Sequence, residues 1–319
     1  MVQALNRALR DSLASDERVL VLGEDVGKLG GVFRVTDGLQ DDFGTKRVFD
    51  TPLAESAIAG VSLGLCLAGW RPVAEMQFDG FSYPALDQTI SHIAKYRYRS
   101  RGRQSAPLVV RMPFAGGVGA AEHHSESPET YYAHTAGLKV VVPSSSLDAY
   151  TLLRRAIADP DPVIFLEPKS RYWSKESGDL PAEGPPIGEA RLVREGTDCT
   201  IVSYGAMVAR SLQAAAALST EGVDVEVLDL RSLVPLDIEA LGRSVRRTGR
   251  AVVVHEAPLT LGMGAEVAAR IMEEAFDHLE APVARVTGYD TPYPPATLEQ
   301  HYLPSADRIA AAVRRTVDY

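Results

Sequence analysis

Asp50-Thr51-Pro52-Leu53-Ala54-Glu55-Ser56 opens the stretch that decides the fold. It continues through small residues to Gly69, a strand pattern Pro72-Val73-Ala74-Glu75-Met76-Gln77-Phe78, and a second helix pattern carrying Asp87-Gln88. Two strand-to-helix units therefore follow one another. Thr51 is a favoured N-cap and Pro52 suits the first helical position, so the pattern predicts a helix from Thr51. A capping-box acid belongs three residues after the cap, at Ala54, and Glu55 stands one place too late for that role. Ser56, Gly60, Gly64 and Ala68 recur every four residues and predict a smooth helix face suited to close packing. The uncharged run from Ser56 to Trp70 is closed by Glu55 and Arg71, short of the ~20 residues that span a membrane. Helix-dipole attraction alone accounts for an acid in a first turn, so spacing leaves a solvated acid and a functional carboxylate as equal readings of Glu55.

The chain has 319 residues, enough for two domains, with 45% hydrophobic and 24% charged residues. Lys plus Arg total 33 against 42 Asp plus Glu, a formal charge of −9 that argues against a general nucleic-acid or anionic-membrane surface. Cys66 and Cys199 are far apart in apolar contexts, which suits a reducing compartment and forms no zinc motif. Asp11, Asp16 and Glu17 interrupt the N-terminal segment, so no apolar signal core is read there. The expected location is the cytoplasm, or a mitochondrial matrix if a presequence has been removed.

Val2, Leu5, Leu9 and Leu13 predict an amphipathic first helix, and Val19 to Leu22 a buried strand ending in Gly23-Glu24-Asp25-Val26. Glu24 then sits at the carboxyl end of a strand, where open α/β sheets place ligands. Gly30-Gly31 lies in a glycine-rich loop that lacks the P-loop lysine and the full dinucleotide fingerprint, which disfavours a nicotinamide dehydrogenase. Lys95 to Arg103 alternates basic residues with Tyr96 and Tyr98, a mixture that single-stranded nucleic acid tolerates, but the run is brief and the chain acidic. After the buried strand Pro107–Met112, a loop with Gly116, Gly117 and Gly119 leads to His123-His124-Ser125-Glu126-Ser127-Pro128-Glu129. Histidines at the end of such a loop read as solvated, as metal ligands, or as groups reaching into a cleft.

The runs Thr51-Pro52-Leu53-Ala54-Glu55 and Ala74-Glu75-Met76-Gln77-Phe78, with Gly-Glu-Asp-Val at 23–26 and the His124 motif, resemble the β subunits of the thiamine-diphosphate-dependent 2-oxo acid dehydrogenases, relatives of transketolase. The resemblance covers nearly the whole chain. It implies thiamine diphosphate as cofactor, with Glu55 on its aminopyrimidine ring and Glu24, Leu53, Gln77 and Phe81 around that ring. Phe81 stands where relatives carry a tyrosine. His124 is implied at the substrate face, His123 being the lesser candidate. A structural potassium ion is implied at the backbone of Leu108 and the Asp159-Pro160-Asp161 loop, and Mg²⁺ is assigned to a separate α subunit because no Gly-Asp-Gly segment occurs here. The implied partners are that α subunit, as two α and two β chains, a lipoyl-bearing acyltransferase core and the 2-oxo acid itself.

From Ser170 to Gly188 the composition shifts to Pro, Gly, Ser and charge, and strand and helix patterns alternate again afterwards. The predicted fold is α/β with two parallel-sheet domains. Residues 1–175 form a pyrimidine-binding domain, 176–189 a linker and 190–319 a C-terminal domain. The His123–Glu129 motif favours a branched-chain substrate. The alternatives are a pyruvate or acetoin dehydrogenase β subunit and, from another class, a non-catalytic assembly subunit that keeps the fold without needing Glu55.

Overall fold

The structure, a computed structural model, describes residues 1–178, 180–181 and 183–319. Short apolar runs become buried strands: β1 Val19–Gly23, β2 Val48–Asp50, β3 Arg71–Glu75, β4 Val109–Phe114, β5 Lys139–Val141 and β6 Val163–Pro168 in the N-terminal half. The C-terminal half adds β7 Arg191–Arg194, β8 Cys199–Ser203, β9 Val225–Asp229, β10 Ser232–Val234, β11 Ala251–Pro258 and β12 Ala284–Gly288. One seven-stranded sheet has the order β10-β5-β6-β4-β3-β1-β2 and a five-stranded sheet the order β12-β11-β8-β9-β7. Pairing is parallel throughout the described residues except β10 on β5 and β7 on β9. Both sheets are covered by helices, which is why the parallel strands are continuous apolar runs rather than alternating ones.

Strand β10 belongs by sequence to the C-terminal half yet completes the edge of the N-terminal sheet, where Val142 N donates to Arg231 O at 2.8 Å. The two halves therefore share a sheet. The expected linker includes Asp179 and Ala182, which lie outside the described residues. Helix Val2–Ser15 buries Leu5, Ala8, Leu9 and Leu13 against helix Ser146–Ala158, as its spacing predicts. Helix Ala306–Val317, which no motif above singles out, closes the second sheet with Ile309, Ala310 and Val313. Among the described residues no helix is long and apolar enough to cross a membrane.

A buried ionic group lies within the first sheet. Arg111 donates to both oxygens of Glu167 at 2.7 Å and pairs with Glu75, and Tyr172 donates to Glu167 at 2.6 Å. Burial of so many charges is tolerated only because each is paired.

The expected helix start at Thr51 is not what forms. The helix runs Glu55–Leu67 with Ala54 as its N-cap. Thr51 N donates to Gly23 O at 2.9 Å and so prolongs the pairing of β2 with β1 by one residue. Ala54 is non-helical at φ −165° and ψ 82°, and the first helical bond runs from Ile58 N to Ala54 O at 2.9 Å. Sheet pairing outweighs the capping preference of Thr51, whose hydroxyl is buried without a partner among the described residues. Strand β3 likewise stops at Glu75, short of the expected Phe78, because the chain turns into a tight helix at Asp79–Ala85.

Candidate active site

Strands β2, β1, β3 and β4 lie side by side and parallel, so their carboxyl ends share one edge of the sheet. Such edges are where open parallel sheets hold ligands. Glu24 follows β1, Glu55 follows β2, Gln77 and Phe81 follow β3, and His124 follows β4.

Glu55 is the first helical residue, so its carboxylate stands in the first turn at the positive end of the dipole. It is 9% exposed and Glu24 8%. Burial, then the charges of Glu55 and Asp25, raises the Glu24 carboxyl above its ordinary range, and the Ala54 amide partly opposes this. Glu24 Oε1 is buried with no partner among the described residues. A buried acceptor beside a second acid is complete only when a donor arrives. Gln77 Nε2 donates to Asp25 Oδ2 at 2.8 Å and ties the loops after β3 and β1 together. Leu53 is 79% exposed at the rim.

The second cluster is aromatic. His124 lies 4.3 Å from the Phe78 ring centroid and 5.0 Å from that of Phe81. A Cβ at Gly80 would fall 2.1 Å from His123 O, so only glycine lets the segments after β3 and β4 meet this closely. Behind Phe78 lies the Lys169 ammonium, 5.8 Å from the ring centroid and 2.9 Å from Asp79 Oδ1. Both members of that pair are fully buried, and burial pushes Asp79 up to about 6 while lowering Lys169. The His124 imidazole is lowered by burial first, then by His123 and Lys169, so it is neutral at pH 7. Its Nδ1 is buried without a partner among the described residues. His123 is exposed.

The potassium expectation meets a different arrangement. Lys139 Nζ donates to both Asp159 oxygens at 2.7 and 2.6 Å, Arg97 pairs with Asp161, and Leu108 O accepts from Val163 N at 3.0 Å. Cations of the chain therefore pair with both carboxylates of that loop.

Groups that sequence reasoning did not assign to the site are Lys169 and Asp79, and the C-terminal carboxylates Glu256 and Glu299. Glu256 accepts from Gly116 N at 3.0 Å, and Glu299 from Gly117 N at 2.9 Å. The pair His255-Glu256 at a strand end reads from the sequence as structural, and nothing local marks the other three, because each partner lies on a distant segment.

Among proteins of known name, the β subunit of 3-methyl-2-oxobutanoate dehydrogenase of Mycobacterium tuberculosis is 59% identical over 318 residues, covering 99% of this chain and 91% of its own length. The pyruvate dehydrogenase E1 component β subunit of Leifsonia xyli is 54% identical over 319 residues, covering 100% of this chain and 95% of its own. The chain belongs to the 2-oxo acid dehydrogenase β subunits. Residues 1–174 match the transketolase pyrimidine-binding domain and residues 188–309 the transketolase C-terminal domain. A solved split-gene transketolase, described as an inactive β4 tetramer, superposes with a TM-score of 0.83 at 26% identity, over 99% of this chain and 97% of that one. Membership in the 2-oxo acid dehydrogenase β subunits makes the chain part of an oxidoreductase and implies thiamine diphosphate as cofactor and an α subunit as partner.

One prediction arises within this β subunit. Glu129 is fully buried, accepts from the Tyr204 hydroxyl at 2.7 Å, and is pushed up to about 7 from an ordinary 4.5, chiefly by burial. A raised carboxyl costs nothing while it is protonated in both states. The cost grows as pH climbs from the unfolded to the folded value, to about 3 kcal/mol for a shift of this size. Glu129→Gln keeps an acceptor for Tyr204 and removes the titration. Denaturant unfolding from pH 4.5 to 8 should therefore show a flatter decline in stability than the wild type; an unchanged slope would refute the assignment.

Proposed function

We propose that this chain supplies the pyrimidine side of a thiamine diphosphate site in an enzyme of two α and two β chains. The enzyme decarboxylates a branched-chain 2-oxo acid and passes the acyl group to the lipoyl arm of an acyltransferase core. One observation carries the reading. Two buried neighbouring acids, Glu24 and Glu55, one with an orphaned oxygen, share a sheet edge with the neutral imidazole of His124. Neighbouring buried carboxylates with an unfilled acceptor suit the amino and protonated ring-nitrogen donors of an aminopyrimidine, so the residues fit the cofactor.

When bound, thiamine diphosphate supplies the electron sink for decarboxylation. Glu55 holds the ring nitrogen and carries its proton, and Glu24 meets the remaining donor edge. Gln77, Phe81 and the exposed Leu53 complete the wall. His124 stands on the substrate side, where a neutral imidazole donates a hydrogen bond to a developing oxyanion. Among the described residues no group of three or more His, Cys, Asp and Glu side chains is arranged for a metal, and no Gly-Asp-Gly occurs. Both support Mg²⁺ being held with the diphosphate by the α chain. The solved neighbour described as an inactive β4 tetramer supports the need for that partner. A purely structural subunit gives no reason for burying two adjacent acids.

The His123–Glu129 motif favours a branched-chain acid over pyruvate, and so does the order of identities, 59% to the 3-methyl-2-oxobutanoate dehydrogenase subunit against 54% to the pyruvate dehydrogenase subunit of Leifsonia xyli. Comparison of kcat/KM for 3-methyl-2-oxobutanoate and pyruvate by the assembled enzyme tests this. The first should lead by at least about tenfold, the scale on which an apolar pocket separates methylene homologues. A lead for pyruvate would transfer the chain to the alternative reading.

His124→Ala should slow reductive acylation by about a hundredfold or more, the scale lost with a hydrogen-bond donor to an oxyanion, and leave cofactor affinity intact. Binding calorimetry and acyl transfer are measured separately. Collapse of affinity with acyl transfer preserved would contradict the role given to His124.

A further inference from the structure

The loop that carries His124 is held from the other half of the chain. As it leaves β4, its Gly116 amide donates to Glu256 Oε2 at 3.0 Å. The Gly117 amide donates to Glu299 Oε1 at 2.9 Å, and the Gly119 amide to Glu299 Oε1 and Oε2 at 3.2 and 3.1 Å. Glu299 is 4% exposed and Glu256 6%. Tyr293 donates its hydroxyl to Glu299 Oε1 at 2.8 Å and so fixes the carboxylate against which the amides dock. Packing at this point is tight: a Cβ at Gly116 would fall 1.7 Å from the Tyr293 hydroxyl, and one at Gly117 2.9 Å from Ser170 Cβ. Beyond His124, Tyr204 from the C-terminal half donates to Glu129 at 2.7 Å and anchors the far end.

Buried carboxyl oxygens and amides are costly to leave without hydrogen-bond partners. Among the described residues the imidazole itself shows no such tether. It contacts the rings of Phe78 and Phe81, and its Nδ1 lacks a partner among the described residues. Its direction follows from where the loop backbone is pinned.

We propose that Glu299 is a positioning residue for His124, acting through the amides of Gly117 and Gly119, with Tyr293 fixing Glu299 and Glu256 holding the adjacent amide. The C-terminal domain thereby contributes to the active-site geometry of the same chain. This rests on the reading of His124 as the group at the substrate face.

The test uses the enzyme assembled with its α chain and saturated with cofactor. Glu299→Ala, Glu299→Gln and Tyr293→Phe are made in wild-type and His124→Ala backgrounds, and reductive acylation is followed for kcat and KM. Displacement of a catalytic group by a fraction of an ångström to one ångström lowers rates strongly, so Glu299→Ala should cost kcat roughly tenfold or more, with cofactor affinity, measured separately by calorimetry, unchanged. Glu299→Gln, which keeps an oxygen to accept both amides, should recover most of that loss. In the His124→Ala background Glu299→Ala should cost nothing further, since groups acting through one another are non-additive. If Glu299→Ala does not fold, Glu299→Gln and Tyr293→Phe run the same cycle, and the loss from Tyr293→Phe should also vanish when His124 is absent. Full activity in Glu299→Ala, or losses that add to that of His124→Ala, would overturn the proposal alone. Full activity in His124→Ala by itself would overturn the reading of His124, and the proposal with it.

Discussion

Replacing Glu55 with glutamine lowers turnover of the assembled enzyme by between roughly a hundredfold and ten-thousandfold, the range lost with a positioned acid or base, while the fold survives. The amide preserves shape and one acceptor oxygen but cannot take up and return the proton that the carboxylate carries. Stability changes little, because a first-turn acid gains only about 0.3–1 kcal/mol from the helix dipole. The same substitution has a second consequence inside the site. The charge of Glu55 is one of the causes that hold the Glu24 carboxyl above its ordinary range, and its removal should let that value fall. Steady-state rates, with a titration of Glu24 by carboxylate NMR, check both. Turnover equal to wild type would end the catalytic assignment and return the chain to the assembly-subunit reading.

Much of the architecture is legible in the sequence because parallel strands buried on both faces are short apolar runs, as at Val19–Leu22 and Cys199–Ser203. Boundaries are less legible where tertiary pairing competes with local preference. Thr51 reads as a cap, but its amide is taken by Gly23 O, and the helix starts four residues later. Strand β10 is three residues long and is recognisable only from the edge of β5 that it completes. Glu55 and His124 emerge from motif resemblance, since spacing alone leaves both with structural readings. The groups behind them do not emerge. Lys169 and Asp79 are separated by 90 residues, Gly116 and Glu256 by 140, and Gly117 and Glu299 by 182. No periodicity connects residues that far apart. Local composition likewise cannot reveal that Lys139 pairs with Asp159 and Arg97 with Asp161.

The central claim is that the site is half a site, and several features of the chain share that implication. On the helix face bearing Ser56, Gly60, Gly64 and Ala68, all but Gly60 are exposed, with nothing within 4 Å of a Cβ built on Gly64. Leu53 and Trp173 expose 79% and 66% of their surface. Exposed apolar side chains, together with the unpartnered Glu24 oxygen, fit a surface that another chain completes. On the proposed reading the acids serve the pyrimidine side of the cofactor; no Gly-Asp-Gly occurs in the chain, and among the described residues no group of three or more His, Cys, Asp and Glu side chains is arranged for a metal. Affinity for the intact cofactor should therefore be lost almost entirely without the α chain. The most direct measurement is calorimetric titration of thiamine diphosphate with Mg²⁺ into this chain alone and into this chain mixed with its α partner, with decarboxylation assayed on the same samples. The chain alone should give no binding heat and no turnover, and both should appear when the α chain is added; tight binding and turnover by the isolated chain would contradict the shared-site account.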